Sequence, residues 1–312
     1  MRLVFMGTPQ AAVPALSRCL EYGHEVVAVW TQPDRPAGRG HKLSASPVKE
    51  FALAHHISVH QPAKIKTAEA EHIFSSHAAD AAIVVAYGRI LPPSFLSAPR
   101  HGCINVHFSL LPKYRGAAPV NWAIIRGERE TGITTMQMDQ GLDTGPIFLQ
   151  RATDIGSNET AIQLMERLAV LGADLLGETL TDLGALLPHS QDSAEATLAP
   201  ILRREDGRIN WRSEAFELER AVRGFQPWPT AHTEYNNRRL IIWGAAAELP
   251  AQHGVSREPG KVIEAQGDNL VVSCGGGDTV LKIQELQPET KRRMSARDFI
   301  NGVKIRAGEK FV

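Results

Sequence analysis

The run "AAIVVAY", residues 81–87, is apolar at nearly every position and too short for a helix of ordinary length. A strand with one wet face alternates apolar and polar residues, whereas a strand covered on both faces need not. Two earlier runs share this texture, "RLVFM" at 2–6 and "EVVAVW" at 25–30. Between the three lie helical stretches, "AAVPALSRCLEYG" (11–23) and "SPVKEFALAHH" (46–56). Gly23 closes the first, and Ser46 followed by Pro47 starts the second in the favoured cap and first-turn positions. Strand and helix in alternation predict an α/β fold: an open, mostly parallel sheet of the Rossmann-like kind, with helices on both faces.

The pattern continues outward. "GCINVH" (102–107) reads as another strand, and "GITTMQM" (132–138) with "GPIFLQ" (145–150) as a hairpin whose long tip is "DQGLDT". Residues 157–183 form one amphipathic helix with Ser157 or Asn158 as its cap. The texture then changes. Residues 186–205 lack periodicity and read as a linker, and from 206 short strand-like runs broken by turns predict a small antiparallel barrel or sandwich with one helix at 213–223. The predicted organisation is therefore an α/β domain at 1–185, a linker at 186–205 and a small β domain at 206–312.

Composition narrows the function classes. Lys+Arg and Asp+Glu balance at 34 each among 312 residues, so no global field draws in a polyanion, and a nucleic-acid partner needs a local basic patch. Three cysteines, Cys19, Cys103 and Cys274, have neither zinc nor redox spacing and suit a reducing compartment. No apolar run approaches the roughly 20 residues that cross a bilayer. The N-terminus lacks the pattern of a signal peptide, so a cytoplasmic protein with no membrane partner is expected.

Asn105 and His107 end a buried strand, where ligand crevices form in open α/β sheets, and their spacing of two puts both side chains on one face. By themselves they are equally the ragged end of an ordinary strand. Asp143, bracketed by glycines in the tip "DQGLDTGPI" (139–147), alters that balance, since an amide, an imidazole and a carboxylate converging at strand ends suit acyl-type transfer. Asn105 and His107 would donate hydrogen bonds to an oxyanion, and Asp143 would hold the charged imidazole or relay a proton. Ser109 lacks the strained elbow of a hydrolase nucleophile. The remaining histidines on helical segments, among them His55, His56, His72 and His77, read as surface groups. Two basic features stand out: the long connection "TQPDRPAGRGHKLSASP" (31–47) with Arg35, Arg39 and Lys42, and the run 291–310 with seven Lys/Arg against two acids, including Lys291, Arg292, Arg293, Lys304 and Arg306. Each is either a solvated surface or a binding surface for a polyanion.

"AYGRILP", "GCINVHFSLLPKYRGAAPVNWAI" and "TGITTMQMDQGLDTGPI" resemble the folate-dependent formyltransferases. "TQPDRPAGRGHKLSASPVK", "DGRINW", "VRGFQPWPTAHT" and "DFINGVKIRAGEKF" resemble, in order and spacing, the branch that formylates methionyl-initiator-tRNA, so the likeness covers essentially the whole chain. The resemblance implies a Rossmann-like catalytic domain at 1–185 joined to an OB-like, tRNA-binding β-barrel at 206–312, with 10-formyltetrahydrofolate as co-substrate, no metal, initiator methionyl-tRNA as acceptor, and a monomer. It implies that Asn105, His107 and Asp143 are the catalytic residues and that Ser109, Leu110, Leu111 and Pro112 line the folate site. It also implies that the 31–47 insertion, with Arg39, meets the tRNA acceptor end. Transfer to an amino-sugar nucleotide is the alternative on the same core. Ala11 and Ala12 depart from the usual Phe-Ala of the first turn, Phe108 replaces a small residue, and "QPETKRRM" lacks a glycine common before its basic cluster. Strand alternation turns Phe108 away from His107 and into the core.

Overall fold

The computed structural model describes residues 1–37, 42–249, 258–275 and 279–312, divided into two compact units. The first unit comprises 1–119, 130–154 and 165–200; the second comprises 120–129, 155–164 and 201–312.

The first unit opens with strand β1 (Arg2–Gly7), helix α1 (Val13–Glu21) and β2 (Glu25–Trp30). Within the 31–47 connection lies a small hairpin, β3 (Arg35–Ala37) paired antiparallel with β4 (Lys42–Ser44), where sequence showed only a loop. Next come α2 (Pro47–Ala54), the two-residue β5 (Val59–His60), α3 (Ala68–Ser76), β6 (Ala81–Val85), α4 (Pro93–Ser97) and β7 (Cys103–His107). The Ser46 hydroxyl caps α2 by accepting from the Lys49 N–H at 3.1 Å, as its position predicted. β8 (Arg115–Gly116) precedes α5 (Pro119–Ile125), which beyond Pro119 belongs to the second unit, and β9 (Glu130–Gln137) and β10 (Ile147–Asp154) form the expected hairpin.

Seven strands make one sheet in the order β10-β9-β7-β6-β1-β2-β5. All neighbouring pairs are parallel except β7·β9 and β9·β10. Every residue of β6 and β7 is buried, the physical origin of the unbroken apolar run of β6. Successive strands step outward in one direction from β1 and in the other from β6, so the topological switch lies between β1 and β6, and in open α/β sheets ligands bind beside such a switch at the carboxyl ends of the strands. One face packs Trp30, Phe74, Phe95 and Tyr87 into a shared core. His77 belongs to this packing rather than to the surface: Trp30 Nε1–H donates to its Nε2 at 3.2 Å, and the Trp30 ring stacks on His60 at 5.1 Å.

The long helix α6 spans Ala161–Thr181. Its start is set by Thr160 and not by Ser157 or Asn158. The Thr160 N–H and hydroxyl both donate to Gln163 Oε1 at 3.0 Å, and the hydroxyl oxygen accepts from the Gln163 N–H, a T-x-x-Q capping box. The stretch read as a linker is largely ordered within the first unit. His189 pairs with Ile147 through two backbone hydrogen bonds, and β11 (Leu198–Ala199) pairs parallel with β8.

The second unit holds α7 (Ala215–Gly224), β12 (His232–Tyr235), β13 (Arg238–Glu248), β14 (Val262–Gln266), β15 (Asn269–Cys274), β16 (Thr279–Pro288), β17 (Met294–Ser295) and α8 (Ala296–Val303). The strands follow the order β12-β13-β16-β15-β14, with β17 added on β16. Residues 309–312 join the two ends of this sheet. Val312 exchanges two backbone hydrogen bonds with Glu234, while Glu309 O accepts from Val262 N–H and Phe311 N–H donates to Gly260 O. The result is a closed barrel, which removes exposed strand edges. Inside it Phe311 is fully buried, stacked on Trp211 at 5.9 Å and edge-on to Tyr235. All three cysteines are buried free thiols pushed up to about 12 by burial, so none is an activated nucleophile.

Candidate active site

Asn105 and His107 sit at the carboxyl end of β7, opposite Met136 and Thr134 of β9. Both are nearly buried, at 8% and 5% exposure. Phe108 is buried as well, consistent with its alternation away from the pair. The Asn105 amide makes no hydrogen bond to another residue among the described residues, so its N–H groups are available to a ligand. His107 differs. Its Nε2 lies 2.9 Å from the Tyr114 carbonyl oxygen, and because a carbonyl only accepts, Nε2 carries the proton. The other ring nitrogen, Nδ1, faces Asp143 Oδ2 at 3.7 Å. That separation exceeds a hydrogen bond and leaves a space in which a transferred proton has an oxygen on one side and a nitrogen on the other.

Asp143 reaches this place through a backbone that only a constrained loop permits. Its φ is +52°, in the left-handed region that non-glycine residues seldom occupy, at a cost of about 1–3 kcal/mol. The neighbouring Gly145 is required by close approach, since a Cβ there would sit 1.8 Å from the Gln137 carbonyl oxygen. Gly116 has φ +125°, and a Cβ would meet Ala199 O at 2.5 Å; its N–H donates to Asp143 Oδ2 at 2.8 Å. The carboxylate oxygen that a backbone amide holds is thus the same one that faces the imidazole.

The segment after β7 is braced from within. Ser109 Oγ donates to Lys113 O at 2.6 Å, Thr134 Oγ1 donates to Ser109 O at 2.7 Å, and the Leu111 N–H donates to Thr134 Oγ1 at 3.1 Å. Ser109 and Leu111 are therefore buried parts of the loop frame, while Leu110 and Pro112 keep accessible surface. The Leu111–Pro112 peptide is cis.

Residues that sequence reasoning passed over complete the site. Gln32 laces the carboxyl-end loops: its Nε2 donates to Tyr87 O at 3.0 Å, and its Oε1 accepts from Arg89 Nε at 3.1 Å. Gln191, in the supposed linker, donates through Nε2 to Asp143 O at 2.9 Å and Gly145 O at 2.7 Å. Neither glutamine lies on a periodic face or in a spaced motif, so the sequence carried no signal for them.

The basic candidates separate. Arg35 is exposed on β3, and Asp34 beside it is tied down, its carboxyl held below the usual range by hydrogen bonds from Gln61 and Lys49. Lys42 belongs to β4, and Arg39 lies outside the described residues. In the second unit a groove of about 960 Å³ is lined by Arg238, Arg239, Lys291, Arg292 and Arg293, with Tyr235 on its wall. Arg293 stacks 4.2 Å from the Trp243 ring centroid, and burial lowers the Arg239 pKa from its ordinary value while its Nε has no partner among the described residues. Lys304 and Arg306 do not line this groove; Lys304 caps α8 in a left-handed conformation. Arg223 is committed elsewhere, to Glu219 and to Glu159 O.

Residues 1–180 match the family described as formyl transferase, and residues 201–304 match the formyl transferase C-terminal domain. The chain is 46% identical over 310 residues to a methionyl-tRNA formyltransferase of Geobacter metallireducens, spanning 99% of this chain and 97% of that protein. It is 48% identical over 311 residues to a methionyl-tRNA formyltransferase of Caldanaerobacter subterraneus, spanning 99% of each. Among solved structures, an N-formyltransferase from Helicobacter canadensis, in complex with folinic acid and dTDP-3-aminofucose, shares the fold with a TM-score of 0.65 at 20% identity, covering 90% of this chain and 98% of that one.

Proposed function

This chain belongs to the formyl transferase family, and from that membership we infer that it moves the formyl group of 10-formyltetrahydrofolate to the free amino group of methionyl-initiator-tRNA. The products are formylmethionyl-tRNA and tetrahydrofolate, the former used to begin translation. The observation that carries this reading is identity of 46–48% with methionyl-tRNA formyltransferases along practically the entire chain. The sugar-nucleotide alternative has weaker support, since the amino-sugar enzyme of like fold is only 20% identical.

The chemistry follows from the side chains. The α-amino group of an aminoacyl ester is substantially neutral near pH 7, because a free α-amino group already titrates at about 7.7–8.0 and the ester lowers it further. Its lone pair attacks the formyl carbon, and the carbonyl π pair moves onto oxygen. The Asn105 amide, unengaged by other described residues, donates to that oxyanion. His107 takes a part different from direct oxyanion donation in this ring orientation, since its Nε2–H is already given to Tyr114 O. Its bare Nδ1 accepts the proton that the attacking nitrogen sheds, in the space facing Asp143, whose carboxylate stabilises the resulting imidazolium. The same proton is returned to the folate nitrogen as the nitrogen–formyl bond breaks. Ser109 is no competing nucleophile, because its hydroxyl is donated to Lys113 O.

The folate is walled by Leu110 and Pro112 on the frame built by Ser109 and Leu111. RNA binding falls to the cationic groove, where guanidinium groups pair with phosphates in forked geometry. Arg35, Arg39 and Lys42 of the insertion meet the acceptor end, and Lys304 and Arg306 contribute long-range attraction. The test is a competition of acceptors. Offered 10-formyltetrahydrofolate with methionyl-tRNA, a 4-amino sugar nucleotide or water alone, the enzyme yields formylmethionyl-tRNA; formylated sugar or free formate as the main product would overturn the reading.

A further inference from the structure

We propose that Gln191 is a positioning residue of the formyl-transfer site, and that Arg115 acts through it to set the place of Asp143. The inference rests on the formyl-transfer reading above and concerns a segment, 189–199, that the sequence presents as a connector. Three observations carry it. First, the Gln191 side chain reaches the backbone of the Asp143 loop twice, donating to Asp143 O at 2.9 Å and to Gly145 O at 2.7 Å. It uses both amide hydrogens on one loop, at and just after the residue whose backbone is in the left-handed region. Second, the other end of the amide is held with equal completeness, since Arg115 donates to Gln191 Oε1 from Nε at 3.0 Å and from Nη2 at 2.7 Å. A primary amide can be turned end for end with little change in shape, and its hydrogen bonds alone decide which end faces where. A guanidinium has only donors, so it admits only the oxygen end and thereby forces the two N–H groups toward the Asp143 loop. Arg115 is 7% exposed and makes no ion pair among the described residues, so its charge is spent on this orientation.

Third, the same segment fixes the partner of the other catalytic group. The Thr197 hydroxyl accepts from the Tyr114 N–H at 2.9 Å, and the Arg115 N–H donates to Thr197 O at 2.9 Å. Tyr114 O is the acceptor that sets the His107 tautomer, and Gly116, next to Arg115, supplies the N–H that aims the Asp143 carboxylate. Residues 189–199 therefore strap together the loop that orients His107 and the loop that presents Asp143. The 3.7 Å space between the imidazole and the carboxylate is a property of this strap as much as of β7.

The experiment measures kcat and KM for both substrates in the full-length enzyme and in Gln191→Ala, Gln191→Glu and Arg115→Lys, together with thermal unfolding. Gln191→Glu is the decisive variant. It keeps the shape of the side chain and strengthens its attraction to Arg115, but it removes both donors and sets a carboxylate against two carbonyl oxygens. A fastening role that needs only shape and the Arg115 bond would survive it. The positioning role predicts that Gln191→Ala and Gln191→Glu each lower kcat by about 10²-fold, the scale on which a displacement of about 1 Å of a reacting group acts. KM for methionyl-tRNA and for the folate should change little, and Arg115→Lys, which retains one donor to Oε1, should fall between wild type and Gln191→Ala. Should the alanine variant fail to fold, the glutamate variant decides alone. Wild-type kcat in Gln191→Glu, or losses confined to KM, would overturn the proposal. A wild-type enzyme that formylates no tRNA would instead overturn the functional reading on which it rests.

Discussion

Replacing Asn105 by alanine separates catalysis from stability in a way the site makes quantitative. The amide is 8% exposed and has no hydrogen-bonding partner among the described residues, so its removal breaks no bond within the protein. The amide atoms are not among the buried polar atoms that lack a partner, so they keep contact with solvent, and alanine forfeits no bond within the protein while opening only a small gap. The unfolding midpoint of Asn105→Ala should stay close to that of the wild type. Turnover behaves differently. Loss of one donor to a developing oxyanion costs about 10²–10³-fold, or about 2.7–4 kcal/mol of barrier. Asn105→Asp should fall further, because a carboxylate offers only acceptors and repels the charge that forms beside it. Single-turnover formylation of methionyl-tRNA, with saturating 10-formyltetrahydrofolate, reads the chemical step directly, and a scan of thermal unfolding reads stability. Near-normal turnover in Asn105→Ala would refute the oxyanion assignment. A drop in stability large enough to explain the lost activity would refute the claim that the amide is held free for the substrate.

Two other expectations follow from packing. His77 accepts a hydrogen bond from the Trp30 indole, and burial, then the nearby His60 and Arg2, lower its pKa below the ordinary 6.5. The unfolded chain therefore takes up this proton at a higher pH than the native state, so the stability it contributes is present above 6.5 and is lost as the pH falls through the lower, folded value. In His77→Gln, whose amide oxygen also accepts the indole N–H but does not titrate, the acid-side slope of unfolding midpoint against pH should flatten; an unchanged slope would discount this cluster. Gly172 of α6 faces the strand that carries the site, where an added Cβ would lie 2.9 Å from Val106 Cγ1. Gly172→Ala gains about 1 kcal/mol of helix propensity but overpacks a short, stiff valine at about 1–3 kcal/mol. It should lower both the unfolding midpoint and kcat, since Val106 stands between Asn105 and His107, and a stabilised, fully active variant would contradict this.

What the sequence made legible is what short-range pattern encodes. β6 is covered on both faces, and its unbroken apolar run says so. Asn105 and His107 announce a shared face by a spacing of two, and Asp143 is marked by its flanking glycines, one of them needed because Gly145 passes against Gln137. Other features depend on partners far along the chain. Gln191 lies in an aperiodic stretch and gains its meaning only from Arg115, 76 residues earlier, and from Asp143, 48 residues earlier. β5 has two residues and residues 309–312 only four, too few for any period to register. The start of α6 could have been read from the sequence, since Thr160 and Gln163 form a capping box that Ser157 and Asn158 do not. The His107 ring lay beyond pattern altogether, because its tautomer is decided by a carbonyl oxygen of Tyr114.

Closure of the second unit by residues 309–312 fixes an order of events during synthesis. β12 and β14, whose edges those residues join, are separated by the rest of the sheet, and neither edge is covered until positions 309–312 have left the ribosome. Domains complete themselves in the order in which they emerge, and contacts of long sequence separation are slow to form. The formyl-transferring sheet, complete by residue 200, is therefore available to fold while the barrel is still an open ribbon with two free edges. A nascent chain in that state carries the edge-pairing hazard of an unclosed sheet for as long as the closing four residues are delayed.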